Sequence, residues 1–167
     1  MRALAALVLL VGCATAEPVT PIAPAAPTAF AQLEASRDLD GALVGHSDAP
    51  TIVVMLASWC EHCKAELHEL DAIRSHHVRL LGVNYRGHEE YDHRGSSSAI
   101  RAFAQGTPWL RIVPIGDDLF DAFGRPPLIP TIYVYDRAGV LVQTFDRRQH
   151  TPPTHDELIG LLARLGA

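Results

Sequence analysis

The chain has 167 residues, of which 48% are hydrophobic and 20% charged, enough for one globular core with extensions rather than two domains. Its formal net charge is −5 and its 14 lysines and arginines form no run, which argues against nucleic acid as a partner. Cysteine occurs three times, at Cys13, Cys60 and Cys63. Because the last two are three residues apart, a disulfide between them would be local and functional rather than a cross-link of distant loops.

The first 12 residues have the features of an export signal. Arg2 precedes an apolar run that is shorter than the ~18 residues needed to cross a bilayer. The run ends in Leu10-Val11-Gly12-Cys13, which resembles the lipobox of bacterial lipoproteins, where the cysteine is acylated and becomes the mature N-terminus. The alternative is cleavage after Ala16, which would release a soluble periplasmic protein. Both interpretations place the domain in the bacterial periplasm or cell envelope, and the first anchors it to a membrane through Cys13.

The predicted domain organisation follows from the composition after this signal. Residues 13–35 hold Cys13 and a stretch rich in proline and alanine, which is typical of a disordered tether because prolines favour extended conformations. The folded domain is expected over residues 36–167. Its apolar pattern alternates between short β-branched runs and helical stretches, which indicates an α/β sheet covered by helices.

The expected elements begin with a buried central strand at 51–56 and an amphipathic helix at 60–73. They continue with a strand at 78–85, a helix at 98–105, a strand near 110–114, a short helix at 117–123, a hairpin of strands 131–135 and 140–145, and a closing helix at 155–165. The polar stretch 86–98 contains His88 and His93. We interpret it as a solvated loop rather than a metal site, because it lacks a helical i, i+4 histidine pair, and a loop that contacts partners is the alternative.

The cysteine pair is placed where the buried strand ends and the helix begins. Cys60 would lie in the first turn, where unpaired backbone N–H groups and the helix dipole favour a thiolate. Cys60 is therefore the predicted nucleophile. Cys63, one turn later and more buried, would resolve a mixed disulfide by closing a ring with Cys60.

The sequence Trp59-Cys60-Glu61-His62-Cys63 after a strand resembles the thioredoxin superfamily, specifically its bacterial periplasmic, membrane-tethered branch of the TlpA, ResA and CcmG/DsbE type. Further similar stretches occur in the family's order: Ser47-Asp48-Ala49-Pro50, Lys64-Ala65-Glu66-Leu67, Gly82-Val83-Asn84-Tyr85 and Leu128-Ile129-Pro130-Thr131. The resemblance implies a thioredoxin-like fold with a central mixed β-sheet flanked by helices. It also implies a thiol–disulfide oxidoreductase that exchanges disulfides with exported proteins, with the Cys60–Cys63 disulfide as its redox group and no other cofactor.

The same resemblance assigns roles to residues around the pair. Pro130 would be a cis-proline opposite the cysteines, the backbone of Ile129 would pair with an incoming peptide, and Trp59 would flank the site. Glu66 matches a glutamate that assists proton transfer in this branch, and Val54 stands where ordinary thioredoxins carry an aspartate. An exposed helix glutamate without a function is the alternative for Glu66.

The redox direction stays open at this point. A protonated His62 would stabilise the Cys60 thiolate and make the disulfide more oxidising, whereas Glu61 and Glu66 would raise the thiol pKa. The resemblance favours a reductant that is re-reduced by a membrane electron donor, with a role in cytochrome c maturation. The alternatives are an oxidant that introduces disulfides and a copper-binding or delivery protein in which a histidine such as His150 completes the site. No metal site is predicted, because the two-residue spacing and the shielding expected from Pro130 favour redox exchange.

Overall fold

The structure is a computed structural model and describes residues 27–148 and 153–167. Its strands are β1 (Thr51–Leu56), β2 (Arg79–Tyr85), β3 (Arg111–Ile115), β4 (Thr131–Tyr135) and β5 (Leu141–Asp146). Its helices are α1 (Ala29–Glu34), α2 (Glu61–Ile73), α3 (Arg86–Glu89), α4 (Ser97–Gly106), α5 (Asp117–Ala122) and α6 (His155–Arg164), with a 3-10 turn at Tyr91–His93. In these two ranges, no helix is long and apolar enough to cross a membrane. The predicted signal, Cys13 and His150 lie outside them.

The five strands form one mixed sheet in the order β3-β2-β1-β4-β5. β2 runs parallel to β1 and β3, whereas β4 runs antiparallel to β1 and β5. In register, Leu56 of β1 lies opposite Asn84 of β2, and Met55 lies opposite Thr131 of β4. The segments that follow β1 and β2 and the segment that precedes β4 therefore meet at one end of the sheet.

The core lies on both faces of this sheet. Ile52, Val54 and Leu56 of β1 belong to the cluster that includes α2 and α6, whereas Val53 and Met55 belong to the cluster that includes α1 and α5. This arrangement explains the uninterrupted apolar sequence of β1, since a central strand covered on both faces has no solvent side. The apolar face predicted for α2 is also confirmed, and its buried members are Cys63, Leu67, Leu70 and Ile73.

The domain begins before residue 36, so the predicted boundary between tether and domain is wrong. The hydroxyl of Thr28 accepts a hydrogen bond from the N–H of Ala31 and starts α1, as expected of an N-cap. α1 then buries Phe30 and Leu33, and the Phe30 ring stacks on that of Tyr135 with centroids 4.4 Å apart. Six residues are too few for an apolar period to stand out from the alanine-rich sequence before them.

The interpretation of residues 86–98 as a loop is also wrong, although most of their side chains are exposed, as predicted for a solvated stretch. This stretch contains α3, the 3-10 turn and the first residues of α4, and it buries the side chain of Glu89 to 2% exposure. The Glu89 carboxylate hydrogen-bonds to Ser58 and Asn84, which lie outside this stretch. Such bonds leave no periodic apolar pattern in the sequence.

Candidate active site

The cysteine pair lies at the N-terminus of α2 and is joined by a disulfide, with Cα atoms 5.2 Å apart. Cys60 is the N-cap residue, and its Sγ accepts a hydrogen bond from the N–H of Cys63 at 3.1 Å. Cys63 is completely buried, whereas Cys60 is 4% exposed. The helix therefore directs a backbone donor and the positive end of its dipole at the sulfur that is closer to solvent, which favours a thiolate there.

The segment before β4 lies against this sulfur. The Ile129–Pro130 peptide bond is cis, as the resemblance implies, and Pro130 is buried. The carbonyl oxygen of Ile129 is 3.9 Å from Cys60 Sγ. Leu128 is 42% exposed next to it, and its own carbonyl accepts a hydrogen bond from the Thr131 hydroxyl at 2.8 Å. A peptide carbonyl thus borders the sulfur on the side of β4, with an exposed apolar residue directly before it in the chain.

Glu66 lies on the buried face of α2, one turn after Cys63, and is only 4% exposed. Its Oε1 has no hydrogen-bond partner among the described residues. Burial, helped by the negative charge of Glu69 and opposed by the positive charge of Arg147, raises the pKa of Glu66 to about 7. The alternative of an exposed glutamate is therefore wrong. A carboxyl group that titrates near neutral pH can both accept and release a proton there.

Glu61 and His62 occupy the first turn of α2 and are both exposed. The carboxylate of Glu61 forms an ion pair with Lys64, with 2.6 Å between Oε1 and Nζ. Solvent and salt screen charges at such positions strongly. Their electrostatic influence on the pair is therefore smaller than that of a buried group.

The sequence predictions did not include three residues beside the pair: Ser58, Asn84 and Glu89. The carboxylate of Glu89 accepts hydrogen bonds from the Ser58 N–H at 2.9 Å, from the Ser58 hydroxyl, and from Asn84 Nδ2 at 2.9 Å. The Nε1–H of Trp59 donates to the carbonyls of His88 at 3.1 Å and Glu89 at 2.8 Å. In the sequence, Asn84 was the one indication of this cluster: a polar residue near the end of an apolar strand needs a buried hydrogen-bond partner.

The structure brings most of the predicted site residues to one end of the sheet. Cys60, Cys63, Trp59, Ile129 and Pro130 lie there because β1 ends where β4 begins. Within residues 27–148 and 153–167, no three histidine, cysteine, aspartate or glutamate side chains cluster in a way that could hold a metal ion.

Comparison with solved structures identifies the architecture. A secreted disulfide oxidoreductase of Mycobacterium tuberculosis, homologous to E. coli DsbE, matches this chain with a TM-score of 0.59 at 18% sequence identity, over 77% of this chain and 93% of that one. The fold of this chain is thioredoxin-like.

Further thioredoxin-like structures agree. The exposed lipoprotein thioredoxin of Streptococcus pneumoniae matches with a TM-score of 0.60 and 21% identity, over 77% of this chain and 96% of that one. DsbF of Mycobacterium tuberculosis matches with a TM-score of 0.60 and 21% identity, over 80% and 96% of the two chains. No protein-family model and no curated protein matches the chain. The predicted fold class, a mixed central sheet flanked by helices, is thus confirmed.

Proposed function

We propose that this chain is a thiol–disulfide oxidoreductase that acts on exported proteins. The observation that carries the proposal is the Cys60–Cys63 disulfide at the start of α2, with Cys60 Sγ held between the N–H of Cys63 and the carbonyl of Ile129. The similar structures include one named a disulfide oxidoreductase and one named a thioredoxin. A buried pair with one sulfur near the surface suits exchange in two steps.

Reduction of a client disulfide by the dithiol form would proceed as follows. The Cys60 thiolate attacks one client sulfur, the client S–S bond breaks, and the other client sulfur leaves as a thiolate. The Cys63 thiolate then attacks Cys60 Sγ, the Cys60–Cys63 bond forms, and the first client sulfur leaves. Two electrons pass from the pair to the client, and the two client thiolates take up their protons from solvent. A membrane electron donor would return the pair to the dithiol form.

Glu66 would act as the acid–base group for Cys63. The thiol of Cys63 is completely buried and must lose its proton before it can attack. Glu66 lies one turn further on the same buried face, with a pKa of about 7 and an unpartnered oxygen. Its carboxylate would accept the Cys63 proton during reduction of a client and return it when the pair is re-reduced.

The surroundings of the sulfur favour a reductant. Oxidants of this kind stabilise their thiolate strongly, but here the partial negative charge of the Ile129 carbonyl, 3.9 Å from Cys60 Sγ, offsets part of the stabilisation from the helix N-terminus. The side chain of His62 is exposed, so solvent and salt screen its interaction with the sulfur. The resemblance to the tethered periplasmic branch suggests the cysteines of apocytochrome c as clients.

The proposed location is the cell envelope, with acylated Cys13 as the anchor and the proline-rich stretch as the tether. The names of two similar structures, a secreted oxidoreductase and an exposed lipoprotein, support a place outside the cytoplasm. A tether of this kind would allow the domain to reach clients at a distance from the membrane.

The test is the reduction potential of the Cys60–Cys63 couple, measured by equilibrating the purified protein with glutathione or dithiothreitol buffers and trapping free thiols. A value near −270 mV, about that of thioredoxin, is expected of a reductant. A value near −120 mV, about that of DsbA, would reverse the proposed direction. Failure to cycle between dithiol and disulfide would exclude the proposed function altogether.

A further inference from the structure

Glu89 anchors the segment after β2, residues 86–95, by hydrogen bonds to the loop before the reactive Cys60. Its buried carboxylate accepts hydrogen bonds from the backbone and side chain of Ser58 and from Asn84. Its backbone carbonyl accepts the indole N–H of Trp59 at 2.8 Å. One residue thus holds both residues that immediately precede Cys60.

The segment from 86 to 95 wraps around this anchor. Asp92 and His93 adopt left-handed backbone conformations with φ of 52° and 58°, which are uncommon for non-glycine residues although aspartate and histidine adopt them more often than most. Gly95 then returns the chain onto Glu89, because a Cβ at this position would collide with both the carboxylate and the carbonyl of Glu89. The path of the segment therefore depends on Glu89 as its internal contact.

This path presents two side chains beside Trp59. The Tyr91 ring is 63% exposed, with its centroid 6.4 Å from that of Trp59. The guanidinium of Arg94 lies 5.0 Å from the Trp59 ring centroid, as in a cation–π contact. We call these three residues, Trp59, Tyr91 and Arg94, the client surface; Tyr91 and Arg94 lie beside Trp59, which is the residue before Cys60. Tyrosine, tryptophan and arginine are the residue types that most often dominate binding energy at protein interfaces.

We propose that Glu89 is a positioning residue that holds the client surface in place, and that this surface selects protein disulfides over small disulfides by contacting the client chain next to its cysteine. The inference rests on the proposed function and adds a specificity determinant to it. We expect a small disulfide to reach Cys60 without touching Tyr91 or Arg94, and a folded client to extend over both residues. Without the Glu89 carboxylate, the segment 86–95 becomes more mobile, and binding a protein client must then order it at a cost in conformational entropy.

The probes are insulin as a protein disulfide and oxidised glutathione as a small one, both reduced by the full chain. We expect Glu89→Ala to lower the ratio of the two kcat/KM values, insulin over glutathione, by about tenfold, as for truncation of an interface residue. Glu89→Gln should restore the ratio, since its amide can donate to the Ser58 hydroxyl while its carbonyl accepts from Ser58 and Asn84. Glu90→Ala is the matched control, because the Glu90 carboxylate pairs with Arg86 and not with the β1–α2 loop.

Two further measurements separate positioning from general destabilisation. Tyr91→Ala leaves the anchor intact and should lower the same ratio, and Glu89→Ala combined with Tyr91→Ala should lower it no further than either change alone. The indole N–H resonance of Trp59 should shift in Glu89→Ala and return in Glu89→Gln, with Trp109 as the internal reference. Tyr91→Ala tests the client surface even if Glu89→Ala fails to fold.

The outcomes distinguish this inference from the proposed function. A wild-type chain that reduces neither probe overturns the proposed function. If the wild-type chain reduces both probes while the ratio of kcat/KM for insulin over glutathione stays unchanged in Glu89→Ala and Tyr91→Ala, only the role of Glu89 and the client surface is overturned. If Glu89→Ala lowers kcat/KM equally for insulin and glutathione, Glu89 acts on the chemistry or on folding, and its proposed role is overturned. Additive effects of Glu89→Ala and Tyr91→Ala in the double variant also overturn it, because the two residues would then act independently.

Discussion

Cys60 Sγ lies 3.9 Å from the carbonyl oxygen of Ile129, a residue 69 positions later in the chain. The approach follows from the antiparallel pairing of β1 with β4, in which Met55 lies opposite Thr131. The loop after β1 and the segment before β4 must therefore share one end of the sheet. The Ile129 backbone thus lies against the reactive sulfur, one residue after the exposed Leu128 side chain.

The two cysteines should respond differently to replacement by serine. Cys60→Ser removes the nucleophile and should abolish reduction of insulin. Cys63→Ser keeps the nucleophile but removes the resolving thiol, so a covalent mixed disulfide with the client should accumulate. Mass spectrometry of the quenched reaction detects this adduct. Full activity of Cys60→Ser, or an adduct formed by Cys60→Ser but not by Cys63→Ser, would contradict the assigned order of attack.

Glu66 should impose a pH dependence on reduction of the client. The pKa of Glu66 is raised to about 7, so the group is protonated below that pH and cannot accept the proton of Cys63. The rate of insulin reduction should therefore rise as the pH increases through about 7, and Glu66→Gln should lose this step. Stopped-flow measurements of the Trp fluorescence or insulin turbidity between about pH 5.5 and about pH 8.5 follow the rate.

Glu69→Gln provides the control for that profile. The negative charge of Glu69 contributes to the raised pKa of Glu66, so its removal should keep the step and move its midpoint to lower pH. A step that persists unchanged in Glu66→Gln would assign it to another group.

His62 should have little effect on the reduction potential. Its side chain is exposed in the first turn of α2, and screening weakens its interaction with the Cys60 thiolate. We expect His62→Ala to shift the potential by less than about 30 mV, which corresponds to about 1.4 kcal/mol. Equilibration of both proteins in the same glutathione buffers gives the difference. A shift several times larger would show that His62 sets the redox direction.

The N-terminal boundary of the domain is tested by truncation. A chain that starts at residue 27 keeps α1 and should unfold at the same urea concentration as the full chain. A chain that starts at residue 36 lacks the buried side chains of Phe30 and Leu33 and should be markedly less stable. Leu33→Ala alone should cost about 2–5 kcal/mol. Leu43→Ala, at a side chain that is 55% exposed, is the matched control and should cost far less.

Acylation of Cys13 is a prediction from the Leu10-Val11-Gly12-Cys13 sequence. Protein purified from membranes should have a mass that fits a mature chain starting at Cys13 with attached acyl chains, and Cys13→Ser should move the protein to the soluble fraction. An N-terminus at Glu17 would instead identify ordinary signal cleavage.

Several polar features depended on contacts that the sequence pattern did not contain. Glu66 and Glu69 stand three residues apart on α2, yet the first is buried and the second exposed. Glu89 lies in a polar stretch, but its partner Ser58 is 31 residues away. A buried and a solvated glutamate cannot be told apart in the sequence, because only the tertiary packing around each side chain differs.

Local sequence patterns were sufficient to predict the individual helices and strands and the position of the redox pair. The apolar run of β1, the helical period of α2 and the turn between β4 and β5 are short-range patterns, and each was confirmed where it was predicted. The tertiary structure decided which segments surround the pair: Ile129 against Cys60, Glu89 against Ser58, and α1 within the core. Those contacts depend on strand order and on which chain ends meet at one edge of the sheet. Hydrophobic periodicity carries no information about strand order, because it reports only which face of an element is buried.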